Sequence, residues 1–165
     1  MKNDAPNQGD LRKLGELIDD IEVAMLTTRA ADNSLVSRPL ETLKLDANGE
    51  LIFFTAANSH KVAELTDDHE VNLAYAHPGE HRYVSVRGRA RMDREADTIN
   101  ELWSPAQKVF FPDGKDDPNL MVLRVQVRDA SYWEAGNFVE RALDLARGMI
   151  SDAPGDIGEH GHLEG

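Results

Sequence analysis

Four short stretches hold the residue types most able to do chemistry. The first is Ser37-Arg38-Pro39-Leu40. Proline has no N–H and cannot complete a strand ladder, so it belongs at an edge or a break. A break would leave neighbouring backbone groups to pair with a flat heteroaromatic ligand, and Arg38 would add a fixed positive charge. An ordinary edge strand with a solvent-facing arginine gives the same pattern. The second stretch runs from Phe53-Phe54-Thr55 through Ala56-Ala57-Asn58 to Ser59-His60-Lys61. A buried strand ends in Thr55, crosses a small polar loop and enters a helix at Ser59. Free N–H groups at a helix start, a hydroxyl and a lysine together suit a phosphate. A capped helix with a solvated lysine reads the same way.

The third stretch, Tyr83-Val84-Ser85-Val86-Arg87-Gly88-Arg89-Ala90-Arg91, alternates arginines with small or apolar residues. One face is basic and the other buried, and Gly88 permits a close approach to the backbone. The alternative is a solvated face neutralised by acidic neighbours. The fourth runs from Leu102-Trp103-Ser104-Pro105 through Phe110-Phe111-Pro112-Asp113-Gly114 to Asp116-Asp117-Pro118. Large aromatics in a proline-punctuated loop wall a pocket, cover a dimer partner or form a satellite cluster beneath the loop. The histidine pairs His77/His81 and His160/His162 flank a turn and lie in a tail, so no metal site is expected. No Ser/His/Asp set, phosphate-loop motif or G-x-G-x-x-G fingerprint occurs.

These residues need elements to place them. Leu11, Leu14, Leu17 and Ile18 recur at helical spacing behind Asp10, predicting a short amphipathic helix over 10–20. Strands are predicted over 21–28, 35–45, 51–55, 70–77, 82–93 and 120–127, with a seventh over 130–134. Ala31-Asp32-Asn33-Ser34 and Asp46-Ala47-Asn48-Gly49 supply turns between them. Helices are predicted over 59–67, 94–103 and 137–150. Strands at hairpin spacing with small helices between them argue for a barrel rather than a parallel α/β sheet.

The chain of 165 residues suits one domain over 10–150, between a disordered segment (1–9) and a flexible tail (151–165). Its net charge of -12 disfavours nucleic acid and anionic membranes as partners. The absence of cysteine removes disulfides, thiolate metal sites and Cys nucleophiles. No secretory signal and no apolar run of membrane-spanning length is visible, which makes the cytoplasm the expected location.

The order of the motifs is more specific than any one of them. Ala24-Met25-Leu26-Thr27-Thr28, Ser37-Arg38-Pro39-Leu40, Phe53-Phe54-Thr55 with Lys61, and Tyr83 to Ala90 together resemble the FMN-binding split-barrel family related to pyridoxamine 5'-phosphate oxidase. Leu102-Trp103-Ser104-Pro105, Phe111-Pro112-Asp113-Gly114, Asp116-Asp117-Pro118 and Ala130-Ser131-Tyr132-Trp133 resemble its general stress protein 26-like branch. The match covers about residues 14–135. Leu40 stands where the family often has methionine, and Val109-Phe110 where it often has tryptophan.

The resemblance implies a mainly β protein, a six-stranded antiparallel split barrel with peripheral helices. It implies a homodimer with two flavin mononucleotide (FMN) sites at the subunit interface. By position, Ser37, Arg38 and Pro39 would run along the isoalloxazine ring, and Phe54 and Thr55 would meet the flavin edge or ribityl chain. Ser59 and Lys61 would hold the phosphate, and Trp103 would be a wall from the other subunit. FAD or a deazaflavin is the alternative ligand. A dianionic phosphate on so acidic a chain needs a local cationic pocket, which Arg38 and Lys61 could form. The functions implied are a flavin-dependent oxidoreductase of unread substrate, a flavin-storing or regulatory binding protein, and, ranked lower, a pyridoxamine 5'-phosphate oxidase.

Overall fold

The computed structural model describes residues 8–59, 70–134 and 159–164. Helix α1 (Gln8–Ile18) precedes strands β1 (Val23–Arg29), β2 (Leu35–Glu41), β3 (Lys44–Leu45) and β4 (Glu50–Ala56). Then come β5 (Glu70–His77), β6 (Arg82–Asp93), helix α2 (Ala96–Leu102), β7 (Leu120–Glu134) and β8 (Glu159–Glu164), with short 3-10 turns between. All pairings are antiparallel, in the order β2-β1-β5-β6-β7-β4-β3, and β8 also pairs with β7. The fold is mainly β, as expected. The strand count differs because β3 and β8 are added and the two C-terminal segments merge into the single long β7. The expected helices over 59–67 and 137–150 lie outside the described residues.

The sheet closes on itself because β2 and β3 are consecutive in the chain yet sit at opposite ends of the pairing order. The expected single strand over 35–45 is interrupted at the crossing. Thr42 N–H still bonds Glu22 O on the β1 side, while Leu43 N–H has turned to Ile52 O on the β4 side. The Thr42 hydroxyl and the phenol of Tyr75 hydrogen-bond at 2.8 Å at the same crossing. Burial pushes the Tyr75 phenol up to about 12, so it stays protonated there.

Alternation sorts the side chains. Ala24, Leu26, Leu40, Leu51, Phe53, Leu73, Val84, Val86, Leu123 and Val125 fill the barrel. Leu14, Leu17 and Ile18 of α1 join that core and close the end where β1 and β6 begin. Ile52, Phe54 and Val122 point outward from β4 and β7. They form a second cluster with Ile99, Leu120 and Phe111 beneath α2 and the following loop. The predicted basic face of β6 carries its own neutralisation: Arg87 pairs with Asp129, Arg89 with Glu70, and Arg91 with Glu50.

A bulge interrupts β6–β7: Arg87 faces Asp129 while Gly88 faces Val127, leaving Arg128 extra. A Cβ at Gly88 would stand 2.5 Å from Val125 Cγ1 and 2.7 Å from Gln126 O, so only glycine fits. Residues 159–164 depart from the expected flexible tail, because they pair with Asp129–Glu134 as β8. Gly161 allows this by lying flat against the Tyr132 ring, where a Cβ would be 2.4 Å from ring carbons.

Candidate functional site

Strand direction gathers the expected residues at one end of the barrel. β1 and β4 end where β2 and β7 begin, so Thr28, Thr55 and Leu120 belong to the end opposite α1, and Arg38, at the middle of β2, reaches toward it through its side chain. Arg38 lies on the inward parity of β2, and its Nη1 donates to Thr28 Oγ1 at 3.0 Å. Ser37 and Pro39 face outward. Ser37 Oγ hydrogen-bonds Thr27 Oγ1 at 2.7 Å, and Pro39 is exposed opposite Met25. The three neighbours are therefore split between two faces of one strand.

Of the edge and the break that Pro39 allowed, the structure shows the edge: β2 stands at one end of the pairing order and its ladder with β1 is unbroken. β1 and β2 stay in register from Val23↔Glu41 to Arg29↔Leu35. Thr42 N–H bonds Glu22 O and Ala30 N–H bonds Ser34 O, which puts the hydrogen-bonded pairs at even-numbered residues of β2. Proline 39 falls between them, where its missing N–H costs the ladder nothing. The break comes at the barrel crossing, three residues later.

Thr55, on the inward parity of β4, is 2% exposed. Its Oγ1 and Ser59 Oγ are buried and have no hydrogen-bond partner among the described residues. Such a hydroxyl costs about 1–3 kcal/mol unless something else satisfies it, so each one calls for an explanation. Both can donate to an anion. The Ala56–Ser59 turn between them is held by Ser59 N–H to Ala56 O (3.1 Å) and Ala57 N–H to Asn119 O (2.8 Å). A third bond runs from Asn58 N–H to Asn119 Oδ1 at 3.1 Å. Asn119 was not singled out from the sequence; its only signal was an Asx-type position two residues after Asp117. Lys61 lies outside the described residues.

Phe54, on the outward parity, is buried against Trp103, with ring centroids 6.5 Å apart and planes tilted by 33°. Within its own chain Trp103 packs on Phe54. The reason is α2: the helix lies over β4 and β7, and Trp103 is its C-cap, bonded to Ile99 O. Of the readings of the aromatic loop, the structure shows the satellite cluster. Trp103 and Phe111 belong to the satellite cluster, whereas Val109 and Phe110 stand exposed.

A polar network unseen in the sequence fixes α2. Buried Arg124 of β7 donates to Asp93 (2.7 Å), Glu95 (2.6 Å) and Thr98 (2.7 Å), with Glu50 at 3.5 Å. Arg91 reaches both oxygens of Glu50 at 2.8 and 3.2 Å. Burial pushes the Asp93 carboxyl up, but the Arg124 hydrogen bond, the Glu95 N–H and the nearby guanidinium charges outweigh it and hold the group below its usual value. Among the described residues no helix is long and apolar enough to cross a membrane.

The family model described as "Pyridoxamine 5'-phosphate oxidase like" matches residues 9–156. General stress protein 26 of Bacillus subtilis is 31% identical over 94 residues, spanning 55% of this chain and 66% of that protein. Protein bli-3 of Neurospora crassa is 25% identical over 95% of this chain and 80% of its own. Among solved structures, one described as a general stress protein 26 from Jannaschia superposes with a TM-score of 0.74. It is 18% identical and covers 93% of this chain and 97% of its own. The general stress FMN/FAD binding protein of Xanthomonas citri superposes with a TM-score of 0.67. It is 24% identical, over 79% of this chain and 92% of its own.

Proposed function

The chain belongs to the pyridoxamine 5'-phosphate oxidase-like family, and we propose that it binds a flavin, FMN in the first place, at the barrel end opposite α1. The carrying observation is the pair of buried, unsatisfied hydroxyls of Thr55 and Ser59, which suits the oxygens of a phosphomonoester. Lys61 would bring a cation to the same phosphate. Arg38 and the backbone of β2 around Ser37 and Pro39 would run along the ring, and Phe54 with Trp103 would supply an apolar wall. The naming of the Xanthomonas citri protein as FMN/FAD-binding supports this reading, and FAD is the alternative ligand.

We further propose a homodimer. Val23, Met25, Leu35 and Tyr83 are exposed on one outer face of β1, β2 and β6, the face that also carries Ser37 and Pro39. Apolar area of that kind on a soluble chain fits a second copy.

The activity proposed is that of a flavin-dependent oxidoreductase acting in the cytoplasm. A bound flavin would supply the electron chemistry. The chain's own residues would bind the phosphate, orient the ring and exclude water from one of its faces. Mixing the FMN-loaded protein with NADH or NADPH under anaerobic conditions tests it: bleaching of the visible flavin band is expected. No bleaching with either donor would leave a flavin-storing protein. Lys61→Ala should weaken FMN binding without unfolding the domain, and wild-type affinity in that variant would remove Lys61 from the site.

A further inference from the structure

We propose that Asn119 is a positioning residue that aims the Thr55 and Ser59 hydroxyls at the flavin phosphate, a role that rests on the flavin reading above. The Ala56–Ser59 turn has one internal backbone bond, Ser59 N–H to Ala56 O. Among the described residues its other two bonds both go to Asn119, one to the main-chain carbonyl and one to the side-chain amide oxygen. Asn119 thus grips two consecutive N–H groups, those of Ala57 and Asn58, between the two hydroxyls.

Asn119 is itself held. Its N–H donates to Asp117 Oδ1 at 2.9 Å, and Leu120 N–H donates to Asp117 O at 3.0 Å. The other carboxylate oxygen of Asp117 accepts from Asp113 N–H at 3.2 Å, and Asp117 N–H reaches Gly114 O at 3.0 Å. Gly114, at φ 76, makes the turn that lets the loop fold around this buried carboxylate. The Asp113–Pro118 stretch, which the proposed chemistry does not otherwise use, therefore transmits its rigidity through one amide to the phosphate end of the site. Hydroxyl donors serve an anion only when held within about 0.5 Å of the productive geometry.

Side-chain loss at Asn119 should leave the main-chain bond to Ala57 in place and free only Asn58, so the turn loosens while the barrel stays folded. The effect should fall on the phosphate rather than on the ring. FMN and riboflavin, which differ only in that phosphate, are each titrated by flavin fluorescence against the full chain, Asn119→Ala and Asn119→Asp. Wild type binding FMN more tightly than riboflavin is the check on the flavin reading itself; equal affinities would bring down both that reading and this proposal.

Given that preference, Asn119→Ala is expected to weaken FMN by about tenfold, the scale of one hydrogen bond to a charged group. Riboflavin should change by less than about twofold. Asn119→Asp keeps the acceptor for Asn58 N–H but adds a charge beside the phosphate, so it should weaken FMN further and again spare riboflavin. Should Asn119→Ala fail to fold, Asn119→Ser carries the same comparison. A parallel loss for both ligands would mean that Asn119 only supports the fold. An unchanged FMN-to-riboflavin ratio in every variant would mean that it does not position the site.

Discussion

The two ends of this barrel are built on different terms. At one end α1 lays Leu14, Leu17 and Ile18 into the core. The charged groups there pair with one another: Arg82, the first residue of β6, holds Asp20 at 2.5 Å and Glu80 at 3.5 Å, and His77 Nδ1 accepts from Glu80 N–H at 3.2 Å, while the Arg82 Nε is buried without a partner among the described residues. At the other end the chain buries the hydroxyls of Thr55 and Ser59 without partners among the described residues, and turns Arg38 inward to Thr28. The first arrangement maximises burial and the second forgoes some stability. The difference teaches where to look for function: the buried Nε at the first end belongs to a guanidinium already held by two carboxylates, whereas neither hydroxyl at the second end has any partner among the described residues.

If the closed end serves stability alone, cutting into it should unfold the protein without touching flavin affinity. Leu17→Ala removes a side chain that is 2% exposed and should cost about 2–5 kcal/mol. Denaturant unfolding should show the loss, while the FMN affinity of the remaining folded protein stays at the wild-type value. An equal loss of affinity would erase the distinction between the ends.

The Arg124 network comes next. Arg124→Met leaves Asp93, Glu95 and Glu50 without their shared partner and should cost about 1–3 kcal/mol, discounted because Glu95 is exposed. The same network has a pH signature. Asp93 is held below its usual value, so the stability it contributes is complete above that value and fades as pH falls through its lowered folded one. Unfolding midpoints followed from neutral pH into the acid range should fall less steeply in Arg124→Met than in wild type; identical slopes would place the acid sensitivity elsewhere.

Gly88→Ala sets a methyl against Gln126 O and Val125 and should cost about 1–3 kcal/mol, because backbone cannot yield as a side-chain tip can. Thermal melts check this directly. The smallest stability change is expected at the end opposite α1. Thr55→Val keeps the shape and removes an unsatisfied buried hydroxyl, so stability should stay within about 1 kcal/mol of wild type or rise. A clear drop in melting temperature would show that this hydroxyl already has a structural partner.

How much of this was readable beforehand depended on the range of the interaction. Leu11, Leu14, Leu17 and Ile18 declare a helix by spacing, and Asp46 to Gly49 declares a turn by chemistry, because both signals are local. The split of Ser37, Arg38 and Pro39 over two faces follows from alternation, and Thr55 and Ser59 were visible as a strand end and a cap. The harmless position of Pro39 was not visible, since it depends on which pairs of β1–β2 bear hydrogen bonds. Nor was the Arg124 network, whose members on β4, β6, α2 and β7 meet only after the sheet closes. The packing of Trp103 on Phe54 was not visible either, because it is decided by where α2 packs. β8 escaped because it depends on a glycine lying flat on a tyrosine far earlier in the chain.

The central claim is that the end opposite α1 seats a phosphorylated flavin through the Thr55 and Ser59 hydroxyls. Titrating FMN with micromolar wild-type protein and with Thr55→Val, and following flavin emission, tests it most directly. The account predicts saturable quenching by wild type and about tenfold weaker binding by the equally stable variant. Emission unchanged by wild type, or identical binding curves for the two proteins, would contradict it.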